Sequence, residues 1–514
     1  MLTPPGRATS LALAIAGGAA TALAFPDVGW WPTAFLGIAL LVLALGRDSA
    51  RWNALVAAVY GLTFFLPHIW WAHEATAVVP WLALGTLQAS YLATLGAGVT
   101  WARRAPWLRD RRWAQVVVFA VLWVAVEQWR SIWPFGGFPW GKLAFSQADS
   151  PLVGAAWLGG APLVSFLVAV VGGILAVVTL AVLARSTRVA PLLVGLGVAG
   201  ALVVAPLLVP LDTEAQSGTL EVGAVQGNVG DPGLGAFANR GEVLQNHVDG
   251  TYALLDEVDP GDLDVVLWPE NGSDLDPQTA LDVADDIDAA AQSVDAPILV
   301  GAQEFPADGG RYNVALLWEP GVGVVDRYAK QHPAAFGEYI PMRGFVRLFT
   351  DQVDRVTNDM IAGTEVGIID LDVPRLDRTV PLATLICFEV AYDGLIQDAV
   401  RAGERCSSSP PTTRPSGSLR SRRNSSRCRA CAPSRPAGRP CRSPPSGSAG
   451  SSHRTARCSR RPSCSRPTSS SRSSRCAPAS RRRSSPAAGS SAHSGPRRSS
   501  SSRSAWSQAA GAGR

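Results

Sequence analysis

Lysine is almost absent from this chain: Lys142 and Lys330 are the only two in 514 residues, so arginine supplies nearly all of the positive charge. Cysteine is equally scarce over most of the length. Of the 8 present, seven follow residue 405, and Cys387 stands alone in the first 405. A solitary cysteine forms neither an internal disulfide nor a four-thiolate zinc site. Two readings are left, a small buried core residue or a reactive thiol. Acidic residues are missing altogether from Cys406 to Arg514, where 23 arginines stand without a single Asp, Glu or Lys. The formal net charge of +5 therefore averages two unlike pieces, because the first 405 residues carry 23 basic against 41 acidic groups. Charged residues make up only 17% against 47% hydrophobic, a balance unusual for a soluble enzyme, and the 17 tryptophans point to anchoring at a membrane interface.

What the first 211 residues do have is long apolar runs. Seven are centred near 9–25, 32–46, 53–67, 80–101, 113–129, 162–184 and 190–210. Several reach the roughly 20 residues that a 30 Å hydrocarbon core demands, and flanking aromatics help the shorter ones to span. One buried helix of a soluble protein explains one such run, not seven in succession. The first run lacks a small-residue cleavage pattern and reads as an uncleaved span rather than a signal peptide. Arg7, then Arg47 and Arg51, then Arg103, Arg104, Arg109, Arg111 and Arg112, then Arg185 and Arg188 fall in alternate loops. By the positive-inside rule the N-terminus is cytoplasmic, and seven crossings put everything after Leu211 outside the cytoplasm. The outer loop 129–151 is rich in Trp and Phe, which reads either as an interfacial belt or as a platform guiding lipid towards a site above the membrane. His68, Trp70, Trp71, His73 and Glu74 sit in another outer loop and read as interfacial rather than catalytic. No cluster here has metal-ligand spacing.

From Thr219 the pattern turns to short strands alternating with helices. Strands are predicted at 220–226, 263–268, 297–303, 312–318, 322–328 and 366–371, with a buried strand running from Pro381 to Cys387. Helices are predicted at 239–258, 282–293 and 392–402. Such alternation argues for a layered α/β domain, in which functional groups collect at strand ends. Three ends carry chemistry: Glu270, Lys330 and Cys387. A carboxylate, an amine and a thiol supply a general base, a cation for a developing oxyanion and a nucleophile. The helix after Cys387 is expected to lower the thiol pKa through its N-terminal dipole.

These residues also resemble a known family. Trp268-Pro269-Glu270, Lys330 with Gln331-His332-Pro333-Ala334-Ala335-Phe336-Gly337-Glu338-Tyr339-Ile340-Pro341, and Ile386-Cys387-Phe388-Glu389 look like the Glu-Lys-Cys signature of the nitrilase superfamily. Together with the multi-span first half, the chain is similar to the apolipoprotein N-acyltransferases, from the first span to about Ala402. The resemblance implies a seven-span membrane domain over 1–211 and an extracytoplasmic nitrilase-like (αββα) domain over 212–405. It also implies a ping-pong reaction needing neither metal nor cofactor. Glu270 takes the proton of Cys387, the thiolate attacks an acyl ester of a membrane phospholipid, and Lys330 stabilises the oxyanion. The amine of an S-diacylglyceryl cysteine on an apolipoprotein then takes the acyl group from the thioester. Glu338 and Glu389 match further family acids that support the site. Phe388 stands where the family often has tyrosine, so no hydrogen bond is assigned to that ring, and no counterpart of an aromatic near 230–239 is named. The expected protein is a monomer in the cell membrane that binds no nucleic acid. Two other readings are a membrane-tethered amidase of the same superfamily and an inactive product that at most binds lipid.

After Glu404 the composition changes to Ser, Arg, Pro, Cys and Ala within a few residues. A basic disordered tail that binds nucleic acid or anionic lipid is one reading, although an extracytoplasmic position excludes DNA. A zinc site begun by Cys428 and Cys431 is another, and it lacks a second paired-ligand motif. The third is translation out of frame, leaving the α/β domain truncated. Back-translating Cys406 to Gly417 with GC-rich codons and starting one nucleotide earlier permits Leu-Leu-Val-Val-Pro-Thr-Asn-Asn-Ala-Thr-Phe-Gly, an apolar strand followed by a polar loop. Resequencing the locus is expected to show a frameshift near codon 405; an intact frame there removes the idea.

Overall fold

The computed structural model describes residues 4–407 except 27, 77, 186, 188, 212, 213, 228–240 and 349. All of them belong to one compact unit, Met1–Cys458. The segment 230–239 and the tail from 408 onward lie outside the described residues.

Each of the seven apolar runs is helical. In chain order the helices are α1 (Arg7–Ala22), α2 (Thr33–Ala44), α3 (Ala50–His68), the short α4 (Trp70–Thr76), α5 (Val78–Arg103), α6 (Arg112–Ile132), α7 (Ala155–Leu183) and α8 (Val189–Val204). Most of these segments are apolar around their whole circumference, so each can offer one face to its neighbours and another to hydrocarbon. Ile38, Leu41, Tyr60, Phe64, Leu92 and Phe119 fill the shared core, whereas Leu193, Val194 and Leu208 point outward. Among the described residues four segments are long and apolar enough to cross a membrane: Val78–Arg103, Arg112–Ile132, Pro151–Leu183 and Val189–Leu208. The stretch 68–74, expected as a loop, is instead helical. Pro67 sits in the last turn of α3, Ile69 N–H still reaches the Phe65 carbonyl, and the chain restarts at once as α4.

The second half is layered. A five-stranded sheet runs in the order β1 (Val222–Ala224), β2 (Val265–Leu267), β3 (Ile298–Glu304), β4 (Tyr312–Glu319) and β5 (Gly323–Ala329). The first three strands are parallel and the last three antiparallel. Helices α9 (Glu242–Ala253) and α10 (Leu281–Val294) supply Leu244, Val248, Ile287 and Ala290 to one face, against Val266, Ile298, Val300, Val314 and Leu316. The other face, carrying Val265, Ala315, Leu317 and Tyr328, meets Ile369, Leu371 and Val373 of an antiparallel pair, β6 (Ile368–Val373) with β7 (Arg378–Ala383). A one-turn helix, α11 (Arg343–Val346), lies in the connection between the two sheets. Successive strand residues alternate in direction, so Ile368 and Pro381 face away from that core. Helix α12 (Asp393–Ser407) lies there, with Gly403 against both residues.

The strand predicted to run from Pro381 to Cys387 is displaced. Its counterpart β7 ends at Ala383, four residues before the cysteine, and is half-exposed rather than buried. Among the described residues it pairs only with β6, which fits the exposure. An apolar run signals burial on average, and here the burial belongs to Thr384 and Ile386, beyond the strand.

Ile287 is fully buried between α10 and the sheet. Ile287→Ala is expected to destabilise the layered half by about 2–5 kcal/mol, read as a lowered unfolding midpoint, with Leu281→Ala, an exposed position on the same helix, as the near-neutral control.

Candidate active site

Glu270, Lys330, Glu338 and Cys387 come together at one rim of the sheet. Glu270 follows β2 in a tight turn, with Gly272 N–H bonded to the Pro269 carbonyl at 3.0 Å. The preceding Trp268 is buried and donates from its ring to Thr251 Oγ1 at 3.0 Å. Lys330 leaves β5 with its backbone tied on both sides, its N–H to the Asn313 carbonyl and its own carbonyl to Gly363 N–H. Its side chain is wholly buried.

A buried ammonium needs charge and hydrogen-bond partners. Lys330 Nζ lies 2.7 Å from Glu338 Oε1 and 3.4 Å from Glu270 Oε1. Glu338 in turn accepts from Ala334 N–H through Oε2 at 2.6 Å. Glu270 Oε1 also accepts from Asn313 Nδ2 at 2.5 Å, and the same carboxylate lies close enough to Cys387 to raise its thiol pKa. Burial alone would pull the Lys330 pKa down, but Glu270, Glu338 and Cys387 together hold it above the ordinary lysine range. The ammonium is therefore a permanent cation.

Cys387 is exposed, with Glu270, Glu338 and Lys330 near enough to act on its thiol. Burial, with Glu270 and Glu338 adding and Lys330 opposing, pushes the thiol up to about 12. This corrects the expectation of a pKa lowered by a helix dipole. Cys387 opens a five-residue 3-10 turn ahead of α12, too short to build a macrodipole, and desolvation wins. The resting group is a neutral thiol facing the Glu270 carboxylate.

Glu389, fully buried in the same turn, holds the nucleophile segment. Its Oε2 accepts from Ile386 N–H at 2.8 Å and its Oε1 from Gln331 and His332 N–H at 2.7 and 3.1 Å. Tyr328 donates its hydroxyl to both oxygens, at 3.0 and 2.9 Å. Burial and this carboxylate raise the Tyr328 pKa, which keeps it a donor. One carboxylate thus ties the exit of β5 to the residue before Cys387.

Aromatic residues of the helical half close over the turn. The Phe388 ring lies 5.3 Å from Trp71, 5.5 Å from Trp140 and 6.3 Å from Phe138, while Phe135 packs edge-on to Phe336 at 6.0 Å. The loop 129–151 is therefore a contact surface for the nucleophile segment as well as an aromatic-rich loop. Asn313, Tyr328, Trp71 and Lys142 are contributions the sequence reading missed. Asn313 had a signal: it is the one polar side chain among the buried residues of β4. Among the described residues no group of three or more His, Cys, Asp or Glu side chains is placed to hold a metal ion.

Apolar spanning helices that carry a layered α/β unit, with a thiol, an acid and an amine at one rim, define a membrane-bound acyltransferase. Residues 17–174 match the family model described as the apolipoprotein N-acyltransferase N-terminal domain. The apolipoprotein N-acyltransferase of Mycolicibacterium smegmatis is 36% identical over 420 residues, covering 77% of this chain and 68% of the relative. That of Pseudomonas putida is 30% identical over 411 residues, 76% of each, and that of Geobacter metallireducens 28% identical over 412 residues, 76% and 75%. The chain belongs to the apolipoprotein N-acyltransferase family.

With the thiol held near 12, alkylation of Cys387 by iodoacetamide is expected to rise about tenfold per pH unit from pH 7 to 10 without a plateau. A plateau between pH 6 and 8 would mean a preformed thiolate.

Proposed function

We propose that this chain is an apolipoprotein N-acyltransferase that moves an acyl chain from a membrane phospholipid, through a thioester on Cys387, to the N-terminal amine of an S-diacylglyceryl-cysteine apolipoprotein. The observation that carries the reading is the convergence of the Glu270 carboxylate, the buried Lys330 ammonium and the Cys387 thiol at one point of the sheet rim. Glu270 takes the thiol proton as sulfur attacks the ester carbonyl, so no free thiolate has to accumulate. Lys330 offsets the charge growing on the carbonyl oxygen. Collapse of the tetrahedral intermediate expels the lysophospholipid alkoxide, which regains the proton from Glu270. The lipoprotein amine attacks the thioester next, Glu270 takes its proton, and the sulfur leaves as the thiol. Asn313 and Glu338 hold Glu270 and Lys330 in register, and Glu389 holds the turn.

The helix, sheet, sheet, helix order of α9 and α10, the two sheets and α12 supports a nitrilase-like reading of 212–405. The outward-facing topology, with a cytoplasmic N-terminus, follows from the arginine distribution in the loops. The drop from a five-stranded to a two-stranded sheet among the described residues and the acid-free segment after 405 both fit a chain that leaves its reading frame near codon 405.

On incubation with phospholipid, the protein is expected to gain an acyl mass that Cys387→Ala abolishes and Glu270→Gln slows by about a hundredfold or more. An adduct that persists in Cys387→Ala removes the cysteine from its role.

A further inference from the structure

Of the two lysines, the chemistry above uses one. The other, Lys142, lies in the loop between α6 and α7, and its side chain is only 3% exposed. Its ammonium reaches the nucleophile segment, donating to the Ala391 carbonyl at 3.2 Å and pairing with Asp393 Oδ2 at 3.1 Å. The Phe145 ring lies 5.5 Å away. Ala391 is the last residue of the turn that Cys387 opens, and Asp393 is the first of α12.

The lysine is presented by a fixed backbone. Arg130, near the end of α6, donates to the carbonyls of Phe138, Trp140 and Gly141 at 3.0, 2.7 and 2.9 Å. Glu127, about one turn earlier, accepts from Leu143 N–H at 2.8 Å. Opposite charges on one helix face thus take up the carbonyls before Lys142 and the amide after it. Two glycines make the path possible. At Gly137, with φ +80°, an added Cβ would lie 2.2 Å from Ser131 backbone; at Gly141, with φ +71°, it would press on His68 and Phe65 at 3.1–3.2 Å.

Cys387 itself has φ +57°, a left-handed conformation that a non-glycine residue keeps only when its surroundings enforce it. Glu389 enforces it from the start of the turn; at the far end Lys142 holds Ala391 and Asp393, and Tyr392 between them stacks on His332 at 4.5 Å and donates to the Gly137 carbonyl at 3.4 Å. A buried ammonium facing a half-exposed carboxylate adds little net stability compared with a well-packed apolar side chain, so its value here is positional.

We propose that Lys142 is a positioning residue for Cys387, locking the end of the nucleophile turn to the loop of the helical half so that the attack geometry exists only while the two halves are engaged. The functional part of this inference rests on Cys387 being the acylated group.

The test compares the full chain in lipid nanodiscs with Lys142→Met, Asp393→Asn and the double variant by hydrogen–deuterium exchange. Lys142→Met is expected to speed exchange across 388–395 about tenfold or more while leaving β3 and α10 unchanged. The double variant should exchange no faster than Lys142→Met, because the two side chains act as one contact. Exchange within twofold of the parent in that segment, an equal rise throughout the protein, or additive effects in the double variant would overturn the proposal. In the phospholipid adduct assay, Lys142→Met should lower the rate at saturating donor about tenfold without changing the half-saturating donor concentration; a change in half-saturation alone would also overturn it. Absence of any adduct in the parent removes the thioester reading, while the exchange comparison still decides the lock.

Discussion

A wholly buried ammonium cannot persist in a protein without carboxylates around it, and Lys330 imposes that condition on its half of the molecule. Two acids must converge on it, so the turn after β2 that carries Glu270 and the loop after β5 that carries Glu338 have to approach the same point. Once Glu270 is held there by Lys330 and Asn313, it is also where the thiol can reach it. The same acids that stabilise the cation push the thiol pKa upward. The thiol therefore stays neutral beside a carboxylate.

The nucleophile turn is held from two directions. Glu389 gathers three backbone amides and the Tyr328 hydroxyl from the layered half, while Lys142 and the aromatic set of Trp71, Phe138 and Trp140 approach from the helical half. Neither half owns the geometry. The tryptophans that mark a membrane interface in composition serve here as packing partners of the residue after the cysteine.

Cys387 and Lys330 were legible through scarcity, as the one cysteine before residue 406 and one of two lysines overall, and Glu270 through its place just past the end of β2. Strand and helix order in the layered half was legible through periodicity, and the apolar runs through length. The start of β7 was not, because Pro381 and its apolar neighbours look like a buried strand whether or not another strand lies beside them. The thiol pKa was misjudged for a related reason. A helix dipole can be read from a local pattern, but the thiol is raised by burial and by the charges of Glu270 and Glu338, which lie more than forty residues away along the chain.

Composition and spacing alone determined that the chain carries apolar runs long enough to span a membrane, followed by an alternating strand-and-helix half that holds a lone thiol and a rare amine, because hydrophobic periods and rare residue types are properties of the string itself. Only the tertiary structure decided that Lys142 reaches Asp393 across 251 residues, that Asn313 steers Glu270, and that the loop after α6 closes on Cys387. Those are contacts between segments with no local code for one another, selected by the burial of charge and by the few backbone paths that Arg130, Glu127 and two glycines leave open.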